Sequence, residues 1–251
     1  DATWNPWQGC HKVSPGCDNC YASALARQWR WDFGTVGRSK TTFRDPLKWK
    51  EGRRIFTCSM SDFFIQAADP WREEVWDIIR RTPQHTYQIL TKRPKLIRER
   101  LPKDWGQGYP NCWLGVSVES QEWTGRIDDL AGIPAAVRFV SYEPALGPVN
   151  FRPWLSSVGN ELWLHDPLAA HLLEEAITQG RCFRDGPGII DWVIVGGESG
   201  AGARPMELAW LDSIAEQCSG AGVPLFVKQD SVRFPGQQGR IPVRLWARKE
   251  F

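Results

Sequence analysis

Short apolar runs rich in β-branched and aromatic residues recur along this chain with helix-period stretches between them. That alternation confines it to βα units laid around a parallel sheet. Seven runs fit: Thr3–Trp7, Arg54–Ser59, Tyr87–Leu90, Trp113–Val118, Val137–Ser141, Trp192–Gly196 and Leu225–Lys228. Helices are expected over Tyr21–Trp31, Pro70–Arg81, from Pro94 onward, over Gln121–Leu130 and over Pro167–Gln179. The fold class is therefore α/β, a partial or complete TIM-like (β/α) barrel of about six to seven parallel strands. A chain of 251 residues, 42% of them hydrophobic, buries enough surface for one domain over 1–251.

Two segments depart from the simple alternation. An insertion near 150–190, with the Gly-rich stretch Asp185 to Gly188, is longer than a crossover needs and is expected to lie over the site as a lid. Residues 230–251 carry Pro235, Gly236, Gly239 and Pro242 and are expected to form an extended tail packed on the barrel. The 15 Trp residues are spread evenly, the pattern of core and rim packing.

Polar groups follow nearly every run: Ser61 and Asp62, then Lys92, then Ser117 and Glu119, then Glu143, then Glu198 and Ser199, then Lys228 and Gln229. In a parallel barrel the C-terminal strand ends meet on one rim, where the βα loops build the active site. Taken singly, a polar residue after a strand is simply where the chain leaves the core. The recurrence makes Lys92, Glu143, Glu198 and Lys228 the candidate catalytic ring. The stretch Gly196-Gly197-Glu198-Ser199-Gly200 suits a phosphate or cofactor cradle but lacks both nucleotide-binding fingerprints.

Three of the 7 cysteines, Cys10, Cys17 and Cys20, crowd one turn-rich loop with the spacing C-x6-C-x2-C, while Cys58, Cys112, Cys182 and Cys218 are scattered. In a reducing compartment such a crowd points to metal rather than disulfides. Three thiolates without a fourth ligand suit a 4Fe-4S cluster with one iron left open; with His11 as fourth ligand the same loop makes a closed zinc site. A net charge of +2 is too mild to announce a nucleic-acid binder. The run Lys92, Arg93, Lys95, Arg98 and Arg100 reads either as a solvated helix face or as a phosphate-binding patch. No apolar stretch reaches the length of a bilayer crossing, and the first residues lack the layout of a secretion signal, so a cytoplasmic protein with no membrane partner is expected.

The segments Thr3-Trp4-Asn5-Pro6, Ser14-Pro15-Gly16-Cys17, Cys20-Tyr21-Ala22, Ser59-Met60-Ser61-Asp62 and Leu90-Thr91-Lys92-Arg93-Pro94 resemble an uncharacterised phage and bacterial three-cysteine family. Gly115-Val116-Ser117-Val118-Glu119, Ser141-Tyr142-Glu143-Pro144, Gly196-Gly197-Glu198-Ser199-Gly200 and Val227-Lys228-Gln229 extend the resemblance over nearly the whole chain. Members of that family look like radical S-adenosylmethionine enzymes, with a more distant likeness to spore photoproduct lyase. That superfamily usually spaces its cysteines C-x3-C-x2-C and places an aromatic before the last; here the first gap is six residues and Asn19 stands in the aromatic position.

The resemblance implies a single radical-enzyme barrel whose 4Fe-4S cluster is held by Cys10, Cys17 and Cys20, with S-adenosylmethionine chelating the open iron. An external electron donor then reduces the cluster, and cleavage yields methionine and a 5′-deoxyadenosyl radical. It further implies that Ser59, Ser61 and Asp62 lie near the methionine amino group, Ser117 and Glu119 near the ribose, and Lys92 at the carboxylate. The substrate implied is a nucleobase or modified nucleotide in a phage context, with a small metabolite as the competing class. From outside the enzymes, a zinc-stabilised module that binds nucleic acid or a ligand without chemistry is the third reading.

Overall fold

The structure is a computed structural model that describes residues 2–155 and 188–250. In chain order the elements are β1 (Ala2–Trp4), β2 (Trp7–Gln8), α1 (Tyr21–Gln28), β3 (Gly37–Arg38), β4 (Arg54–Thr57), α2 (Asp69–Arg81), β5 (Thr86–Thr91) and α3 (Ile97–Arg100). They continue with β6 (Cys112–Ser117), α4 (Gly125–Ala131), β7 (Val137–Tyr142), α5 (Arg152–Leu155), β8 (Trp192–Gly196), α6 (Leu208–Ala221), β9 (Leu225–Gln229) and α7 (Val243–Trp246).

Seven strands pair in the order β1-β4-β5-β6-β7-β8-β9, every pair parallel, and the sheet curls into a half-barrel. This is the partial form of the expected barrel: among the described residues no ladder joins β1 to β9. Central strands are covered on both faces, so they read as nearly unbroken apolar runs; β6 buries five of its six residues. Gly115 of β6 sits opposite Phe139 of β7 in the ladder, and the Phe139 ring lies over it so closely that a Cβ would be 2.4 Å away.

Aromatic packing fills the space under the first strands. Trp4 meets Tyr87 edge-on at 5.7 Å between centroids, and a chain of contacts runs from Trp7 through Phe63 and Trp76 to Trp105. Each such pair adds about 0.5–1.5 kcal/mol beyond its area. These tryptophans have the packing role the sequence suggested, whereas Trp29 is 58% exposed.

Several boundaries differ from the sequence reading for identifiable reasons. The run Thr3–Trp7 splits: Pro6 has no N–H to give a ladder, so β1 ends at Trp4, and Trp7 and Gln8 pair antiparallel with Arg38 and Gly37 instead. β4 ends at Thr57, because Cys58 takes a left-handed backbone with φ of 65° and turns the chain. The helix expected from Pro94 is a 3-10 turn (Pro94–Leu96) leading into α3, and Gln121–Trp123 is likewise 3-10 before α4.

The sequence reading assigned no boundaries to α6, which lies between β8 and β9. The expected helix Pro167–Gln179 and most of the proposed lid lie outside the described residues. The tail over 230–250 contains α7, and Lys249 bridges antiparallel to Phe226 of β9. Among the described residues no helix is long and apolar enough to cross a membrane.

Gly115→Ala is expected to destabilise the protein by about 1–3 kcal/mol in urea unfolding, the usual cost of overpacking a filled core. Combining it with Phe139→Leu should recover part of that loss, because the atoms the new methyl meets belong to the Phe139 ring.

Candidate functional site

Parallel register puts the C-terminal ends of β4 to β9 along one edge, and there they enclose a cavity of about 200 Å³. Cys10, Cys17 and Cys20 border it, as do all four members of the candidate ring, Lys92, Glu143, Glu198 and Lys228. Ser59, Ser61, Asp62 and Ser117 border it too. Glu119 is not on the wall; 1% exposed, it stands behind Gly16 and Lys92, and a Cβ on Gly16 would lie 2.5 Å from its Oε1.

The cysteine loop is pinned to the strand ends along its length. Gly9 turns it with φ of 97°, and its N–H donates to the Met60 carbonyl at 3.0 Å. A Cβ at Gly9 would be 2.4 Å from the Thr35 carbonyl, so the position excludes side chains. From the end of β4, Ser61 Oγ donates to the Gly9 carbonyl at 2.5 Å and the Ser59 carbonyl accepts from Tyr21 at 2.7 Å. From the end of β5, Arg93 Nη2 donates to the His11 carbonyl at 2.6 Å. From beyond β6, Glu119 accepts from Ser14 Oγ at 2.7 Å. From beyond β8, Glu198 accepts from Asn19 at 2.9 Å while Arg204 donates to the Pro15 carbonyl at 2.9 Å.

All six described cysteines are free thiols. The three of the loop share the cavity, yet among the described residues no group of three His, Cys, Asp or Glu side chains is placed to hold a single metal ion. His11 hydrogen-bonds the Gly34 carbonyl through Nε2 at 2.8 Å, which occupies one of the two ring nitrogens it would offer a zinc ion. Cys58, scattered in the sequence, is a fourth thiol on the cavity wall. Without a metal, burial pushes the Cys10 thiol up to about 11; Asp62 adds to the rise and Arg93, whose Nη1 lies 3.6 Å from Sγ, opposes it.

The polar groups divide into those already bonded and those still open. The Asp62 carboxylate is well partnered: Oδ1 accepts from the Phe64 amide at 2.9 Å and Thr91 Oγ1 at 2.7 Å, Oδ2 accepts from the Lys92 amide at 2.9 Å, and Arg93 Nη1 forms an ion pair with Oδ2 at 3.1 Å. Glu119 takes Lys92 Nζ at 2.7 Å and Arg126 Nη1 at 2.8 Å besides Ser14. Burial by itself pushes the Glu119 pKa up, but the two cations outweigh burial and hold the carboxyl below its ordinary value. Glu198 is held low in the same way by Arg204 and Asn19 against the opposing effect of burial. Glu119 and Glu198 thus bond the cysteine loop directly, and Asp62 is joined to it through Arg93.

What remains open also borders the cavity. Lys228 Nζ bridges both oxygens of Glu143, at 2.8 and 2.9 Å, and leaves that carboxylate two further lone pairs. The hydroxyls of Ser117, Ser141 and Ser199 border the cavity and have no hydrogen-bond partner among the described residues. Members of the basic run go to separate partners: Arg93 turns to the cavity, Arg98 donates to the Gly132 carbonyl and Arg100 pairs with Asp69. Sequence reasoning had no signal for Arg204, Ser14 or Asn19 as anchors, since their partners lie 189, 105 and 179 residues away.

Glu119→Gln leaves Lys92 and Arg126 without their shared buried anion, a loss expected to cost about 3–5 kcal/mol in thermal or urea unfolding. Because the folded carboxyl titrates below its ordinary value of 4.5, its contribution is present above that pH and lost as pH falls through the lower folded value. The variant's deficit should therefore be full at neutral pH and shrink on acidification.

No curated protein and no solved structure matches the chain. One family model does, over residues 1–238, and on that coverage the chain belongs to the family described as "Protein of unknown function (DUF5131)".

Proposed function

We propose that this protein is a radical S-adenosylmethionine enzyme whose 4Fe-4S cluster is bound by Cys10, Cys17 and Cys20. One observation carries the reading: three free thiols of a single pinned loop share a cavity with the polar ends of six parallel strands, the face of a barrel where chemistry is done. The donor set fits the group, since a cluster spreads its thiolates around a cube, whereas a single zinc ion draws its ligands to one point. When bound and reduced by an external donor, the cluster supplies the electron that splits S-adenosylmethionine into methionine and a 5′-deoxyadenosyl radical.

The chain's own residues bind and orient. Lys92 Nζ, with one N–H on Glu119, keeps two for a carboxylate such as that of the methionine moiety. Ser117 offers a hydroxyl to the ribose, and Ser59, Ser61, Asp62 and Glu119 act one step away by holding the loop that carries the thiols. Glu143, Lys228, Ser141 and Ser199 present donors and acceptors to a polar substrate, for which a nucleobase or modified nucleotide is the proposed class.

Anaerobic reconstitution tests the reading. Cys10→Ala, Cys17→Ala and Cys20→Ala should each lose the cluster, while Cys58→Ala, Cys112→Ala and Cys218→Ala should keep iron and sulfide near wild type. S-adenosylmethionine should perturb the spectrum of the open iron, and strong reductant should release 5′-deoxyadenosine; an iron-containing protein that does neither sinks the assignment. Ser117→Ala should weaken cofactor binding by up to about ten-fold, the value of one neutral hydrogen bond of about 0.5–1.5 kcal/mol. A nucleic-acid substrate should bind with an affinity that falls as salt rises, and a metabolite should not.

A further inference from the structure

Of the three loop thiols, Cys10 alone receives a side-chain hydrogen bond among the described residues, and its donor is Arg93. The Arg93 side chain is 11% exposed and is fixed at three points: Asp62 Oδ2 at 3.1 Å, Cys10 Sγ at 3.6 Å and the His11 carbonyl at 2.6 Å. Asp62, fixed by three hydrogen bonds from the Phe64 amide, Thr91 Oγ1 and the Lys92 amide, holds the guanidinium through an ion pair against the sulfur. Lys92, the neighbouring cation, does not share this task, because its head group is drawn to Glu119.

We infer that Arg93 is a positioning residue that sets the reduction potential of the cluster by donating to the Cys10 sulfur, a statement that rests on the iron-sulfur reading above. A donor aimed at a ligating thiolate withdraws electron density from it and favours the reduced cluster, which carries one more negative charge. A planar fork reaches the carboxylate, the sulfur and the carbonyl together; an ammonium on a flexible stem keeps the charge but not all three contacts. Arg93 thus makes the cluster easier to reduce than three bare thiolates would allow.

Redox titration of the anaerobically reconstituted protein, followed by electron paramagnetic resonance, tests this with wild type, Arg93→Lys and Arg93→Gln. Iron and sulfide content and a thermal melt are measured on each sample. The expected result is a midpoint potential that becomes more negative from wild type to Arg93→Lys to Arg93→Gln, at matched cluster content in at least the lysine variant. A lysine variant with wild-type cluster content and an unchanged potential would overturn the inference. So would failure of both variants to assemble a cluster, since Arg93 would then be a staple of the loop and nothing more. If the wild-type protein itself takes up no iron and sulfide, the functional reading fails and this inference with it, an outcome the content measurement separates from the other two.

Discussion

The Asp62 carboxylate, buried at the end of β4, draws two backbone amides, a hydroxyl and a guanidinium onto its two oxygens. An ion of this kind costs several kcal/mol to bury and is tolerated only when its lone pairs are filled. Filling them ties the end of β4 to the end of β5 and fixes Arg93 in the one direction from which it reaches both Cys10 and the His11 carbonyl. The position of the first thiol therefore follows from the desolvation of a carboxylate that never touches it.

The same logic repeats around the rim. Glu119 and Glu198 are buried acids whose cationic partners, Lys92 with Arg126 and Arg204, neutralise them, and each spends another acceptor position on the cysteine loop. Between them the strand ends reach the loop at residues 9, 11, 14, 15, 19 and 21. A loop held at so many points has lost most of its conformational freedom on folding, so its thiols are arranged before any ligand arrives. Glu143 and Lys228, which among the described residues bond only each other, together with the unbonded serines of the same cavity, are the part left free to recognise something else.

The parallel sheet with its apolar cover and the three-cysteine loop were legible in the sequence because both are local signals: strand-length apolar runs, and thiols at short spacing among turn residues. Convergence of the strand-end residues on one rim followed from parallel topology alone. The breaks at Pro6 and Cys58 were harder. Apolar patterning continues through both, and what stops the ladder is a missing N–H in one case and a left-handed backbone in the other.

The sequence by itself determined which residues would meet: Cys10, Cys17, Cys20, Lys92, Glu143, Glu198 and Lys228 share one cavity, and the alternation of runs and helices was sufficient to require it. Only the tertiary structure decided what each would do on arrival. Arg93, in sequence one member of a basic run, became the donor to a thiol; Glu119 and Asp62, in sequence two strand-end acids, are buried and bonded to their neighbours. The physical reason is that a charged side chain's role is set by its burial and by which partners fill its hydrogen-bonding positions. Several of those partners come from far along the chain, Lys92 lying 27 residues from Glu119 and Asn19 lying 179 from Glu198, pairings that no local pattern records.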